Sequence, residues 1–349
     1  LDQGPDLNSS RLQADDSPES VFQLMLDQDW SDGLPVIPPT MDRVRSMVVR
    51  SRRDPSELVG YINPEGGAAT VEKIAVNAVM AGCLPDYMPV LIAAVQAIAE
   101  PEFNIHGIQT TTNPVAPALI INGPVRNQIG VNSGRGCLGP GWRANATIGR
   151  ALRFLLLNVG GARPLTTDMA IHGMPGKYIF CFGENEEESV WEPLHVERGL
   201  APDQSAVTVV GAQGTSNCLT LYKEAESILT VIASAMADFS DNNYLLGGGN
   251  PMLVLSPGHS RVLTEQGFTK QAVKEWLFEH CKIPLDRIPR ETSIVHYEKE
   301  FVRDGDLVCL CRRPEDIVVV VAGGPEPYHA TYCASFGDTQ AVTKTVTTD

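Results

Sequence analysis

The sequence predicts an α/β fold of mixed or parallel sheets with flanking helices, arranged as two related α/β halves. Three observations carry this. Short apolar runs at 118–121, 206–212, 252–255 and 317–322 are bounded by Gly, Pro or Asn, as buried strands are. Longer segments with apolar residues three and four apart lie between them, as amphipathic helices do. One arrangement also recurs. A helix at 89–99, Asn113-Pro114, an apolar strand and Asn122-Gly123-Pro124 are echoed by a helix at 219–237, Asn250-Pro251, an apolar strand and Ser256-Pro257-Gly258. The strand at 317–322 with Gly323-Gly324-Pro325 is a fainter third copy. The expected division is an arm and short helix at 1–30, a first half at 31–200 and a second at 201–349, with a site between the halves.

In chain order, residues 1–19 are polar and aperiodic and read as a flexible arm. A short amphipathic helix follows at 21–28. The prolines of Leu34-Pro35-Val36-Ile37-Pro38-Pro39 force an extended path, because proline fixes its own φ and moves its predecessor out of the helical region. Thr40 or Asp42 caps a helix reaching about residue 49. Thr70 caps the helix 70–81, with Glu72 in its first turn and Gly82 to end it. A helix at 86–99 carries Pro89 near its start. Residues 144–158 put Ile148, Leu152, Leu155 and Leu156 on one helical face, and Gly160-Gly161 end that helix. Further on, strands are expected at 177–182, 206–212, 252–255, 306–311 and 317–322, and helices at 219–237 and 269–281. The tail after Phe336 reads as extended.

The 349 residues carry a net charge of −15, which argues against a nucleic-acid binder, since that needs a basic face. A local basic pocket for an anionic substrate remains compatible with it. No stretch has the apolar length of a membrane span, and the start of the sequence does not read as a signal peptide. Eight scattered cysteines without a C-x-x-C pair read as reduced thiols, so a cytoplasmic protein is expected.

Two segments carry the chemistry. Gly134, Gly136, Gly139 and Gly141 precede the helix at 144–158, and a glycine loop feeding a helix N-terminus is an anion site. The pattern is neither the dinucleotide fingerprint nor the P-loop. Arg143, Asn145, Asn132 and Lys177 are the candidate substrate-binding residues. After the strand expected at 177–182 come Glu184, Asn185, Glu186, Glu187, Glu188, Trp191, Glu192 and His195. Crowded carboxylates raise one another's pKa, which prepares a general acid or base. Glu184, Glu187 and His195 are therefore the candidates for proton transfer, although the same run also reads as a solvated acidic loop. Glu192 and His195, three apart, could meet one metal ion on a helical turn. Cys137, in the glycine loop, and Cys83, with His106 as its base, are the candidate nucleophiles, each of which also reads as a plain buried thiol.

The strings DGLPVIPPT, VNAVMAGC, INGPVR, GPGWRANATIGRALR, GENEEESVWEPLHVERG and LSPGH, spread from about Asp32 to Gly337, resemble a group of uncharacterised bacterial proteins associated with the UGSC-type (seleno)protein family. The tetrapeptide U/C-G-S-C is absent, so the redox role tied to it is not carried over, and the resemblance assigns no residue a role. The expected function is a lyase or hydrolase acting on a small polar or anionic molecule, without an organic cofactor, in a homo-oligomer. The alternatives are a metal-dependent enzyme using Glu192 and His195, and a non-catalytic partner of a redox (seleno)protein, which adds a second small subunit.

Overall fold

The computed structural model describes residues 5–291 and 297–347. Helices α1 (Pro18–Asp27) and α2 (Met41–Ser51) precede a hairpin of β1 (Leu58–Ile62) and β2 (Gly67–Thr70), then α3 (Val71–Ala81) and α4 (Met88–Ile98). Next come α5 (Ile105–Thr110), β3 (Ala116–Asn122), α6 (Pro124–Gln128), α7 (Arg143–Asn158), β4 (Cys181–Gly183), α8 (Leu194–Glu197) and β5 (Ala206–Ala212). Then follow β6 (Ser216–Leu219), α9 (Ala225–Met236), α10 (Asn242–Leu245), β7 (Met252–Leu255), α11 (Pro257–Glu265) and α12 (Lys270–His280). The chain closes with the short strands β8 (Ile283–Pro284), β9 (Arg303–Asp304) and β10 (Leu307–Val308), then β11 (Val318–Val321), β12 (His329–Cys333) and β13 (Val342–Thr345).

The architecture is α/β with mixed sheets. One four-stranded sheet has the order β13-β5-β3-β4, the other β11-β7-β12-β6. β3 and β5 are buried along their whole length, which is why both read as unbroken apolar runs rather than as alternating ones. Their side chains point alternately to two layers. Leu119, Ile121, Val207 and Val209 pack outward on α2, α3, α4 and α7. Ala118, Ile120 and Val210 pack inward, with Phe180 and Phe182, on Met252, Val254, Val318, Val320 and Cys333 of the second sheet. The other face of that sheet, with Leu253, Leu255 and Val319, is covered by α9 and α12. The layers are therefore helix, sheet, sheet, helix.

The two sheets repeat one topology. β3 runs parallel to β4 and antiparallel to β5, which is antiparallel to β13. β7 runs parallel to β11 and antiparallel to β12, which is antiparallel to β6. The registers match position by position: Ala118 with Met252, Ile120 with Val254, Phe182 with Val320 and Val210 with Cys333. Each half lends its last strand to the other's sheet, since β6 follows β5 but pairs with β12, and β13 follows β12 but pairs with β5. The crossing segments are tied by a symmetric pair of bonds, Gln213 N–H to Ala334 O and Phe336 N–H to Gly211 O, both 2.8 Å. A cut at residue 200 thus falls inside the first sheet and leaves β5 and β13 on its far side.

Local signals placed several elements. Thr70 caps α3 by accepting from Lys73 N–H, and Gly82 ends it in the left-handed region at φ +91. Elsewhere the expectations need correction. Residues 219–237 are not one helix: β6 takes 216–219 and α9 starts at Ala225, because Leu219 sits on a sheet edge. The strand expected at 177–182 is a short helical turn, Pro175–Lys177, followed by β4. Only 307–308 of the strand expected at 306–311 pairs. Residues 1–4 of the arm lie outside the described residues. Part of the rest is tied down, with Asn8 and Ser9 N–H donating to the buried Glu72 carboxylate at 2.9 and 2.8 Å.

Candidate functional site

The ends of β3, β4 and β11 meet where the two sheets join. Glu184 N–H donates to Ile121 O of the first sheet and the next residue, Asn185, to Val321 O of the second. Residues 132–134 run alongside: Gly183 N–H donates to Asn132 O, and Gly134 pairs with Gly323. Ligand-binding residues of α/β sheets gather at such strand ends.

Glu184, Asn122, Glu186, Arg126 and Glu187 crowd this junction. Glu184 is fully buried, and its Oε2 accepts from Asn122 Nδ2 and Leu194 N–H, each at 2.7 Å. Burial pushes its carboxyl above the usual range, opposed by the charge of Lys270 and by these hydrogen bonds. Asn122 Nδ2 also donates to Glu186 Oε1 at 2.9 Å, and Gly123 N–H to the same oxygen at 2.7 Å. Arg126, 2% exposed, donates to Ser133 Oγ at 3.1 Å and to Glu187 Oε1 at 2.7 Å. Gly183 makes this possible, since a Cβ there would lie 2.6 Å from Arg126 Cδ. The Arg126 hydrogen bond holds the Glu187 carboxyl well down, at about 2. Glu187 is thus a counter-ion with a half-exposed side chain, not a proton-transfer group poised near neutrality.

Asn122 Oδ1, Arg126 Nε and both ring nitrogens of His195 are buried without a hydrogen-bond partner among the described residues. Glu197 and Arg198, on and just after α8, add further buried or half-buried charge. Lys270 contacts Glu197 at 2.7 Å, Lys274 closes on the same carboxylate, and Arg198 Nε is unpartnered. Unsatisfied buried polar atoms are rare, and their crowding here singles out this end of the molecule.

The expected site residues divide. Glu184, Glu187, Asn132 and Asn145 come together at this end, and His195 adjoins through Leu194, which bonds Glu184. The asparagines pin the glycine loop. Asn145 Oδ1 accepts from Asn132 N–H at 2.8 Å, and its Nδ2 donates to Asn132 O and Cys137 O. Arg143 is spent on the last turn of α3, donating twice to Gly82 O at 3.0 and 2.9 Å. His106 and Lys177 are not part of the cluster. His106 is exposed on α5, at the opposite end of β3, a seven-residue strand of about 23 Å. Lys177, before β4, pairs with Asp168 at 2.8 Å.

The thiols are not activated. Cys83 donates to Thr147 O at 3.2 Å and burial pushes it up to about 12, while burial pushes Cys137 up to about 11. The helical turn expected to present Glu192 and His195 to one metal starts only at Leu194, leaving Glu192 exposed before it while His195 is fully buried on it. Among the described residues no three His, Cys, Asp or Glu side chains are grouped to hold a metal ion, and no helix is long and apolar enough to cross a membrane.

Sequence reasoning missed Asn122, Arg126, Ser133 and Glu186 as site residues. The signal was a polar residue ending an otherwise apolar strand, followed by Gly-Pro and an arginine. No protein-family model, no curated protein and no solved structure matches the chain.

Proposed function

We propose that the chain is an enzyme acting on a small anionic molecule by proton transfer at the joined ends of β3 and β4, in a lyase or hydrolase type of reaction. One observation carries this reading: a fully buried carboxyl, Glu184, bonded to Asn122 and set beside the buried Arg126 where the sheets meet. Burial raises this carboxyl above its usual range, the direction a proton donor needs. Arg126 presents a planar fork suited to a carboxylate or phosphate. Its present partner Glu187 is half-exposed and can turn to water when a substrate anion takes its place. Asn122, with a free carbonyl oxygen, orients the polar end of the substrate beside Glu184.

The test is a panel of small hydroxy- and keto-acids, amides and their esters, followed by proton NMR for turnover. Glu184→Gln keeps a hydrogen-bond acceptor for Asn122 and Leu194, so it retains the fold and loses turnover. A Glu184→Gln chain as active as the wild type would overturn the assignment. A wild-type chain that converts no member of the panel would turn the reading toward a partner subunit without activity of its own.

A further inference from the structure

The chain is strongly acidic, yet five of its 27 basic residues, Arg43, Arg45, Arg50, Arg52 and Arg53, fall within eleven positions. Two of them are occupied locally: Arg43 donates to Pro38 O and Arg53 to Glu57. The other three line one open cleft of about 550 Å³, between the stripe Asp42, Arg45, Ser46 and Val49 of α2, of which Arg45 is half-buried, and Pro85. The stripe follows from helical spacing, since residues three and four apart share a face.

Some arginines elsewhere in this molecule meet carboxylates closely. Arg126, Arg135 and Arg150 each do so at 2.7 Å. Inside the cleft the pairing is incomplete. Arg50 pairs with Asp86. Among the described residues Arg45 has only Asp42, 3.9 Å away on a side chain 97% exposed, and its Nε is buried without an acceptor. Arg52 makes no ion pair among the described residues. It also occupies a left-handed position, φ 54, at the C-cap of α2, where glycine would be the unstrained choice. An arginine thus stands where the backbone conformation favours glycine.

We infer that this cleft binds a small phosphate-bearing anion, at a place separate from the Glu184 site. Three guanidiniums offer more donors than the two oxygens of a carboxylate can accept, whereas a phosphate presents three terminal oxygens to planar forks. The Ser46 hydroxyl adds a neutral donor on the same stripe. Val49 and Pro85 are the apolar residues of the lining, and Arg45, Arg50 and Arg52 its cations. The negative end of α2 and the Asp42 and Asp86 carboxylates oppose an anion, but the three guanidiniums outnumber those two carboxylates.

The experiment is calorimetric titration of the full chain with inorganic pyrophosphate, with sulfate at equal ionic strength as the control. The wild type binds pyrophosphate saturably and prefers it to sulfate. Arg45→Gln and Arg52→Gly each weaken binding by at least about tenfold, the loss of one charge-assisted contact. Arg52→Gly relieves the left-handed strain, so its Tm equals or exceeds that of the wild type and misfolding cannot account for the loss. No saturable binding by the wild type, unchanged affinity in both variants, or equal affinity for sulfate would each overturn the inference.

Discussion

The two sheets share strand order, direction and register, but the ends of their parallel strands carry opposite kinds of chemistry. In the first sheet, Asn122 closes β3 and Arg126 follows four residues later, amid Glu184, Glu186 and Glu187. At the matching place of the second sheet, Ser256 closes β7 and Ser260 follows four residues later, amid neutral and satisfied groups. Ser256 N–H donates to His259 Nδ1, so that nitrogen is an acceptor and the proton sits on Nε2, which donates to Thr220 Oγ1 at 2.7 Å. Burial keeps His259 neutral by pushing it down to about 4. One scaffold thus gives a locked end and a charged end. The difference lies in residue identity at equivalent positions, not in topology, so function must be read from the site and not from the fold.

The comparison can be broken first at positions 126 and 260. Arg126→Met should destabilise by about 3 kcal/mol in urea unfolding, the low end for breaking a buried ion pair, because Glu187 can turn to water. Ser260→Ala should cost no more than about 1 kcal/mol, one neutral hydrogen bond. Equal losses would mean that the charged end is no more strained than the locked one. Thr220→Val should cost about 1–3 kcal/mol by orphaning the buried His259 Nε2–H, and should leave any turnover intact.

Acid and neutral pH should separate the halves further. Glu187 is held at about 2 by Arg126 against a usual 4.5, so the stability it adds is present above pH 4.5 and lost as pH falls toward 2. Much of that is screened by water at its exposed side chain. Asp241, in the second half, is pushed up to about 6 by burial against a usual 3.8, although Tyr332 and Asn243 N–H donate to it. Its sign is the reverse: the contribution is full below pH 3.8 and lost as pH rises through 6. Denaturation midpoints across pH 2–7 should show a flattened acid limb in Glu187→Gln and a flattened limb between 4 and 6 in Asp241→Asn. The smallest effect belongs to Arg135→Ala. Its contact with Glu326, one Nη2 reaching both carboxylate oxygens, joins the two glycine loops but is exposed, so the loss should stay within about 1 kcal/mol.

Much of the fold was legible because its signals are local. The unbroken apolar runs of β3, β5, β7 and β11 marked buried strands, and Thr70 with Gly82 marked both ends of α3. The echo between 113–124 and 250–258 reflects the matching β3 and β7. The strands β6, β12 and β13 were less legible, since their identity comes from partners more than a hundred residues away or in the other half. Of the site, the acidic run after β4 was visible as a run. Which of its members is buried was not: Glu184 and Glu187 differ by three positions, yet one is enclosed and the other is half in water.

The sequence by itself determined the α/β class, the acidic balance and the strand ends at which polar residues collect, because periodicity, charge and turn chemistry are written locally. Only the tertiary structure decided that the halves exchange their last strands, that His106 and Lys177 stand apart from Glu184, and that Arg126 joins it. Burial and pairing depend on which distant segments pack together, and that packing sets whether a carboxyl holds its proton, whether a thiol stays inert and whether an arginine finds a partner.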